Sequence, residues 1–227
     1  YSSWVADARV LFPWLPDDLV RIYAEEWADT GDTNLALARM RSNPAYDVHF
    51  AGNRRADGSL RMDEQAYFAT VAAYRTLLRD YGLNPTAFTS RFVELIEGEV
   101  SPGEFAGRLG AAYEEVINRI PEVRSEFSRL YGVEGGDRAL FASFIDPNIG
   151  EAILNRRIGV AQVAGEAAAR GFTLDRRFAE DLTDAGLAQS QARDFFSSAE
   201  NLLPTLNTLA QRHLDPDDTF DLTEMAQ

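Results

Sequence analysis

The chain has 227 residues, 45% of them hydrophobic and 11% aromatic, which is the composition of a globular protein with one large or two small domains. It carries 36 acidic against 22 basic side chains, and the net charge of −14 disfavours a broad nucleic-acid-binding face, which needs clustered positive charge. Lysine and cysteine are both absent, which excludes Schiff-base lysines, P-loop lysines, disulfides and thiolate chemistry.

The first 60 residues predict three short helices followed by an irregular segment. Pro13 ends the first helix, and Pro16 starts the second at a position where proline is tolerated. The third helix is predicted to end before Pro44, because the residue preceding a proline avoids helical dihedral angles. Residues 45–60 lose the apolar periodicity and contain many turn-forming residues, so they predict a surface loop.

The next stretch, Met62 to Leu83, has the clearest helix signal in the chain. Asp63 is placed to accept a hydrogen bond from an amide of the first turn, and Gly82 is placed to end the helix in a left-handed conformation. Steps of three and four residues align an apolar stripe made of Phe68, Val71, Tyr74, Leu78 and Tyr81. The same Tyr-Gly-apolar ending recurs at residues 131–133.

The remaining residues predict further helices separated by turns that contain glycine or proline. Helices are predicted to start at Asn84, Ser101, Pro121, Asp137 and Asp146. The last predicted helix starts at Ser190, and one more helix lies before it. The helix from Asp146 to about Arg170 is predicted to be the longest. Pro204 is predicted to kink or split the last helix, because proline lacks an amide donor and clashes with the preceding turn.

No segment alternates apolar and polar residues with a period of two, so the predicted class is all-α. We expect a compact multi-helix array of about nine to eleven helices with short loops punctuated by glycine and proline. The predicted organisation is residues 1–61 as N-terminal helices and loop, 62–213 as the main helical domain, and 214–227 as the start of a C-terminal extension. The chain is expected to be an excerpt of a longer polypeptide, and it has no apolar run of the roughly 20 residues that span a membrane.

Two glycines inside a predicted helix indicate close packing. Gly159 and Gly165 each cost about 1 kcal/mol relative to alanine in a helix interior. A close helix crossing explains their presence, since a larger side chain would hold the two backbones apart. The partner helix is expected within the chain, with a subunit contact as the alternative. Gly103 and Gly107 form a second, less complete instance of the same pattern.

The densest group of basic residues lies in the predicted loop before residue 62. Arg54, Arg55 and Arg61 are candidates for contact with a phosphate or an acidic partner. The alternative is pairing within the chain, which an excess of acidic residues favours.

Catalytic and metal-binding patterns are few. His49 and His213 are the only histidines and lie in no metal-binding motif. Carboxylate clusters at 94–99 and at 114–115 are alternatives for an acid/base pair, but most such clusters in an acidic chain are solvated helix faces. The acidic run at 215–221 lacks the glycine of a calcium-binding loop. We therefore predict no catalytic residue, no cofactor and no metal.

Three stretches carry a resemblance to a known family: ALARMRSNPAYDVHFAGNRRADGSLRMDEQAYFATVAAYRTLLRDYGLNP at 36–85, FVELIEGEVSPGEFAGRLGAAYEEV at 92–116, and LPTLNTLAQRH at 203–213. Together they resemble a helical region of tailed-bacteriophage virion proteins, which are described as tape-measure-like, minor tail or internal virion proteins. The resemblance covers most of residues 35–221. The chain lacks the long heptad runs of an extended tape-measure coiled coil, which favours a compact module.

The resemblance implies a non-catalytic structural protein of the virion, in the tail or the portal-proximal interior. Its implied role is particle assembly and genome ejection, through contacts with other virion proteins and with copies of itself. Two alternatives stay open: a phage-associated cell-wall hydrolase that uses a carboxylate pair, and a stand-alone helical adaptor for a partner protein.

Overall fold

A computed structural model describes residues 2–213, and in that range the chain is all-α, as predicted. Twelve α-helices are present: α1 Ser2–Leu11, α2 Asp17–Thr30, α3 Thr33–Ser42, α4 Pro44–His49, α5 Glu64–Asp80, α6 Thr89–Glu97, α7 Pro102–Ala111, α8 Pro121–Tyr131, α9 Gly136–Phe144, α10 Glu151–Ala168, α11 Arg176–Asp184 and α12 Gln189–His213. A 3₁₀ turn at Pro85–Phe88 precedes α6, and a π-helical segment at Ala112–Ile117 follows α7. None of the described helices is long and apolar enough to cross a bilayer.

The helix count exceeds the predicted nine to eleven because α4 lies at the start of the segment predicted to be irregular. Asn43 ends α3, where its amide donates to the Met40 carbonyl, and its side chain then caps α4 by accepting from the Ala45 amide at 3.0 Å. Pro44 occupies the first turn of α4, where no amide donor is needed. Six residues are too few to show an apolar period, so the sequence pattern misses this helix.

The contacts within the chain divide it into two compact units, Tyr1–Phe105 and Ala106–Gln227. The sequence predicted a boundary after residue 61, whereas the structure groups residues 62–105 with those before them. The predicted C-terminal extension, 214–227, lies outside the described residues.

Side-chain bonds across residue 61 explain this grouping. The Arg41 guanidinium donates from Nε to Oε1 of Glu64 at 2.7 Å, which joins α3 to the start of α5. The Tyr67 hydroxyl donates to the Ala51 carbonyl at 3.1 Å. Contacts of this kind join residues 16 and 23 positions apart, so local patterns do not reveal them.

Helix α5 is central to the core of the first unit. The Asp63 side chain accepts from the Ala66 amide at 2.8 Å, which confirms the predicted cap. Its buried apolar residues are Tyr67, Val71, Tyr74 and Leu78, with Phe68 half-buried. The Leu83 amide donates to the Leu78 carbonyl at 2.9 Å, which confirms the predicted helix ending, and Gly82 has a φ of 71°.

The core of the second unit forms around α10, which contacts α8, α11 and α12. Its buried apolar side chains come from all four helices and the connection after α10: Leu130, Val160, Val163, Ala164, Ala167, Phe172, Leu174, Ala179, Ala192 and Phe196. Helix α10 has apolar contacts on several sides, because α8, α11 and α12 all pack against it.

Three predictions about the later helices are wrong. Helix α10 starts at Glu151 rather than Asp146, because the Asp146 side chain accepts from the Asn148 amide at 2.9 Å and closes a turn. The longest helix is α12, with 25 residues, against 18 in α10. Helix α12 continues through Pro204 without a break, so the predicted split does not occur.

The helix predicted from Ser101 to Ile120 also changes character along its length. It starts as α7, with the Ser101 hydroxyl accepting from the Glu104 amide at 3.0 Å. At residues 112–117 it widens into a π-helix, and the Asn118 amide donates to the Tyr113 carbonyl five residues earlier at 2.7 Å. The apolar pattern of an α-helix, which repeats every 3.6 residues, does not reveal this change to a π-helix.

Candidate functional site

The predicted basic loop is an ordered structure. Its residue Asn53 is fully buried and bonds the backbone of Met62 twice, donating from Nδ2 to the carbonyl at 2.8 Å and accepting at Oδ1 from the amide at 3.0 Å. This pair of bonds closes the loop between residues 53 and 62. The loop therefore holds its arginines in defined positions.

All three candidate arginines of this loop form ion pairs within the chain. Arg54 donates from Nε to Asp47 at 3.0 Å. Arg55 and Arg61 share one oxygen of Glu99, with nitrogen–oxygen distances of 2.7 Å and 2.9 Å. The structure therefore favours intramolecular pairing for these side chains. A contact with a phosphate or an acidic partner stays a prediction.

Glu99 has an unusual backbone conformation. It is the only non-glycine residue among those described with a positive φ, 54°, and it follows the end of α6. The Val100 amide donates to the Leu95 carbonyl at 3.0 Å, so Glu99 occupies the helix-ending position that Gly82 fills after α5. Unlike glycine, Glu99 has a carboxylate, which links the end of α6 to the basic loop. The hydrogen bond and charge of Arg55, followed by those of Arg61, hold the pKa of Glu99 below its usual value.

This conformation gives a testable prediction. We expect Glu99→Gly to melt higher than Glu99→Ala, by roughly 4 to 8 °C, because both variants lose the carboxylate but only glycine relieves the left-handed backbone. Thermal unfolding followed by circular dichroism measures the difference. Equal melting temperatures would contradict the left-handed conformation at this position.

The four candidate packing glycines have different surroundings. A Cβ atom at Gly165 would lie 2.6 Å from Cγ2 of Val123 on α8, and one at Gly159 would lie 3.2 Å from Cγ2 of Thr183 on α11. The approach at Gly165 is therefore a close helix crossing inside the second unit. A Cβ atom at Gly103 would meet only a serine oxygen at 3.8 Å, and one at Gly107 would meet nothing within 4 Å.

Three of the five carboxylates considered as acid/base candidates, Glu94, Glu99 and Glu115, have cationic partners. Glu94 forms an ion pair with Arg91, and Glu115 forms one with Arg119 at 2.7 Å. His49 lies 2.9 Å from an oxygen of Asp18. Among the side chains that the structure describes, no three of metal-binding type are grouped as a metal site. The His213 side chain is not among those described.

Glu64 and Glu166 are the most enclosed carboxylates in the described range, with 6% and 1% of their surface exposed. Glu64 in α5 is bonded by Arg41 and Tyr46, and Glu166 in α10 is bonded by Arg170, Arg193 and Gln189. Burial raises the pKa of Glu166, but the hydrogen bonds from Arg193, Arg170 and Gln189 outweigh it and lower the pKa overall. Both carboxylates join separate helices, as structural ion pairs do.

Helix α12 carries two apolar faces. One face packs into the core of the second unit through Ala192, Phe196 and Leu203. The other face is formed by Phe195, Leu202 and Leu209, which are 51%, 55% and 47% exposed. Seven residues make nearly two helical turns, so these three side chains lie along one line. We call this line the α12 stripe. No described residue of the second unit buries it.

A search with protein-family models finds no match to this chain, and comparisons with curated proteins and with solved structures find none either. Function is therefore inferred from the residues themselves. The ordered basic loop is neutralised within the chain, whereas the α12 stripe leaves apolar surface in water.

Proposed function

We propose that this chain is a non-catalytic structural component of a tailed-bacteriophage particle, in the tail or the portal-proximal interior. It acts in assembly, and in genome ejection, through helix-surface contacts with other virion proteins and with copies of itself. The resemblance of residues 35–221 to helical virion proteins supports this proposal. The single structural observation that carries it is the α12 stripe.

The spacing of the α12 stripe favours a helical partner. Residues that repeat every seven positions contact the same side of a neighbouring helix in paired helices. Leu206 falls four residues after Leu202 and three before Leu209, which extends the same seam, whereas Ala199 packs against the core of the second unit. Burying the exposed part of each stripe side chain contributes on the order of 1 kcal/mol. The partner is a second copy of α12, because that helix offers the same period and the same side chains.

The acidity of the chain supports a position beside a DNA path. A net charge of −14 repels phosphates, so DNA would pass without being held. Tight DNA binding by the purified chain at physiological salt would count against this part of the proposal.

The self-association of α12 can be tested with stripe variants. We expect Leu202→Gln combined with Leu209→Gln to reduce self-association at least tenfold, because a polar side chain in the seam loses the apolar contact. Sedimentation velocity over a concentration series measures it. The melting temperature is expected to stay within a few degrees of wild type, since both side chains are exposed. Leu203→Gln, on the core-facing side, is the contrasting variant and is expected to lower the melting temperature.

The location can be tested by mass spectrometry of purified particles of the phage that encodes the chain. Recovery of peptides from this chain in a constant ratio to other virion proteins is expected. Its absence from particles would overturn the virion proposal. Clearing of peptidoglycan by the purified chain, lost in glutamate-to-glutamine variants, would support the hydrolase alternative instead.

A further inference from the structure

A groove in the first unit brings together two arginines that the basic loop does not include. It has a volume of about 320 Å³ and is lined by Arg75, Arg79, Asn84, Pro85, Thr86 and Thr89. Arg75 and Arg79 are exposed and lie one turn apart on α5. The other four residues come from the connection after α5, the 3₁₀ turn and the start of α6. The groove therefore combines side chains of one long helix with a turn whose position is fixed by a proline.

No described residue neutralises the charge of this groove. Among the described residues, neither Arg75 nor Arg79 has an ion-pair or side-chain hydrogen-bond partner, in contrast to Arg54, Arg55 and Arg61. No acidic residue of the described part of the chain lines the groove. Like charges four residues apart on a helix repel each other, and a bound anion would remove that repulsion.

The remaining polar groups of the groove also leave donors rather than acceptors available. The Asn84 Oδ1 atom accepts from the amide and the hydroxyl of Thr86, at 3.1 Å and 2.8 Å. Because Oδ1 of Asn84 accepts both of these bonds within the turn, only its Nδ2 group is left to donate to a ligand. The Thr89 hydroxyl donates to the Thr86 carbonyl at 3.1 Å. Two guanidinium groups and one amide group thus remain as donors.

The guanidinium of Arg75 is held in place before any ligand binds. Arg75 Cζ lies 5.9 Å from the centre of the Phe92 ring, whose negative face attracts the cation. The other wall includes the Pro85 ring. An arginine restrained in this way loses less freedom when it binds a ligand than one that is free to rotate.

We propose that this groove binds a small molecule that carries a phosphate monoester. Two guanidinium groups match the charge of about −2 of a phosphate monoester better than that of a single carboxylate, and their planar donors suit phosphate oxygens. A volume of about 320 Å³ holds more than the phosphate alone, so an organic group lies against Pro85 and the arginine stems. The proposal goes beyond the structural role described above and does not depend on it.

The test is isothermal titration calorimetry of the whole chain with three probes: phenyl phosphate, inorganic phosphate and glutarate. Phenyl phosphate is expected to bind at millimolar concentrations or below, and more tightly than inorganic phosphate, because it also fills the apolar part of the groove. Arg75→Gln combined with Arg79→Gln is expected to reduce the affinity at least tenfold, with no loss of melting temperature. Arg39→Gln removes an exposed arginine elsewhere in the first unit and is expected to leave binding unchanged.

Three results would overturn the proposal. The first is no binding of phenyl phosphate at several millimolar. The second is an equal loss of affinity in the Arg39→Gln control, which would indicate general attraction to positive charge. The third is glutarate binding as tightly as phenyl phosphate, which would show that the groove does not select phosphate.

Discussion

Replacing Gly165 with leucine is expected to destabilise the second unit by about 3 kcal/mol or more. Even the first carbon of a side chain at this position would lie 2.6 Å from Cγ2 of Val123 and 2.7 Å from its Cα and backbone nitrogen. Two of these three atoms belong to the backbone of α8, so a rotamer change of Val123 does not relieve the clash. The two helices must separate, and their shared apolar contacts are lost.

Gly165→Ala is expected to destabilise the second unit less than Gly165→Leu does. Alanine gains about 1 kcal/mol of helix propensity over glycine but introduces the Cβ clash, so the net change is destabilising by about 1 to 2 kcal/mol. Gly107→Ala is the matched control in α7. Its Cβ atom would meet no neighbour within 4 Å, so alanine is expected to stabilise by up to about 1 kcal/mol.

Two spectroscopic signals distinguish the unfolding of the first unit from that of the second. All three tryptophans, Trp4, Trp14 and Trp27, lie in the first unit, so tryptophan fluorescence reports on that unit while circular dichroism reports on both. We expect Gly165→Leu to shift the circular dichroism transition more than the fluorescence transition. Unchanged unfolding in Gly165→Leu would mean that the close crossing of α8 and α10 is wrong.

Protonation of Glu64 is expected to weaken the first unit at acid pH. This buried carboxylate accepts from Arg41 at 2.7 Å and 3.0 Å and from the Tyr46 hydroxyl at 2.9 Å. Burial raises the pKa of Glu64, but the hydrogen bonds and charge of Arg41, with a smaller contribution from Tyr46, hold the pKa below its usual value. Burial and the neighbouring carboxylate raise the pKa of Tyr46, so its hydroxyl stays a donor.

The sign of the pH dependence follows from the lowered pKa. A carboxyl group with a lower pKa in the folded state stabilises the fold above its unfolded pKa, about 4.3 for glutamate. That contribution is lost as the pH falls from about 4.3 through the folded pKa. Glu166 has the same direction of shift in the second unit, so both units are expected to lose stability in this range.

Glu64→Gln isolates the contribution of Glu64. We expect it to lower the free energy of unfolding at pH 7 by about 2 kcal/mol. This is less than the cost of breaking a fully buried ion pair, because the Arg41 side chain is 38% exposed. The variant is also expected to show a flatter decline between pH 5 and pH 3. Urea unfolding followed by tryptophan fluorescence at several pH values measures both effects. Glu97→Gln, at an exposed position, is the control and is expected to keep the wild-type pH dependence.

Helix limits were predictable from sequence wherever a local signal marks them. Asp63 and Gly82 mark the start and end of α5 because a cap and a left-handed stop depend on residues within one turn of the helix end. The sequence missed α4, because its six residues are too few to show a repeating apolar pattern. It also placed the start of α10 too early, because the side chain of Asp146 fits a turn as well as a helix cap.

The functional surfaces were only partly predictable. The arginines of the basic loop are visible in the sequence, but Glu99, the partner of Arg61 and Arg55, lies 38 and 44 positions away from them. Arg75 and Arg79 resemble ordinary exposed helix residues in the sequence. Their lack of partners depends on which side chains surround them in the folded unit.

The sequence by itself determined the all-α class, most helix ends and the absence of lysine and cysteine chemistry, because these depend on residue type and on neighbours along the chain. Only the tertiary structure decided which charges are neutralised and which apolar faces are covered. Among the described residues Arg55 has an ion-pair partner and Arg79 has none, and Phe196 is buried while Phe195 is exposed. The physical reason is that ion pairs and packing join residues far apart in the chain, at distances of a few ångströms that sequence spacing does not determine.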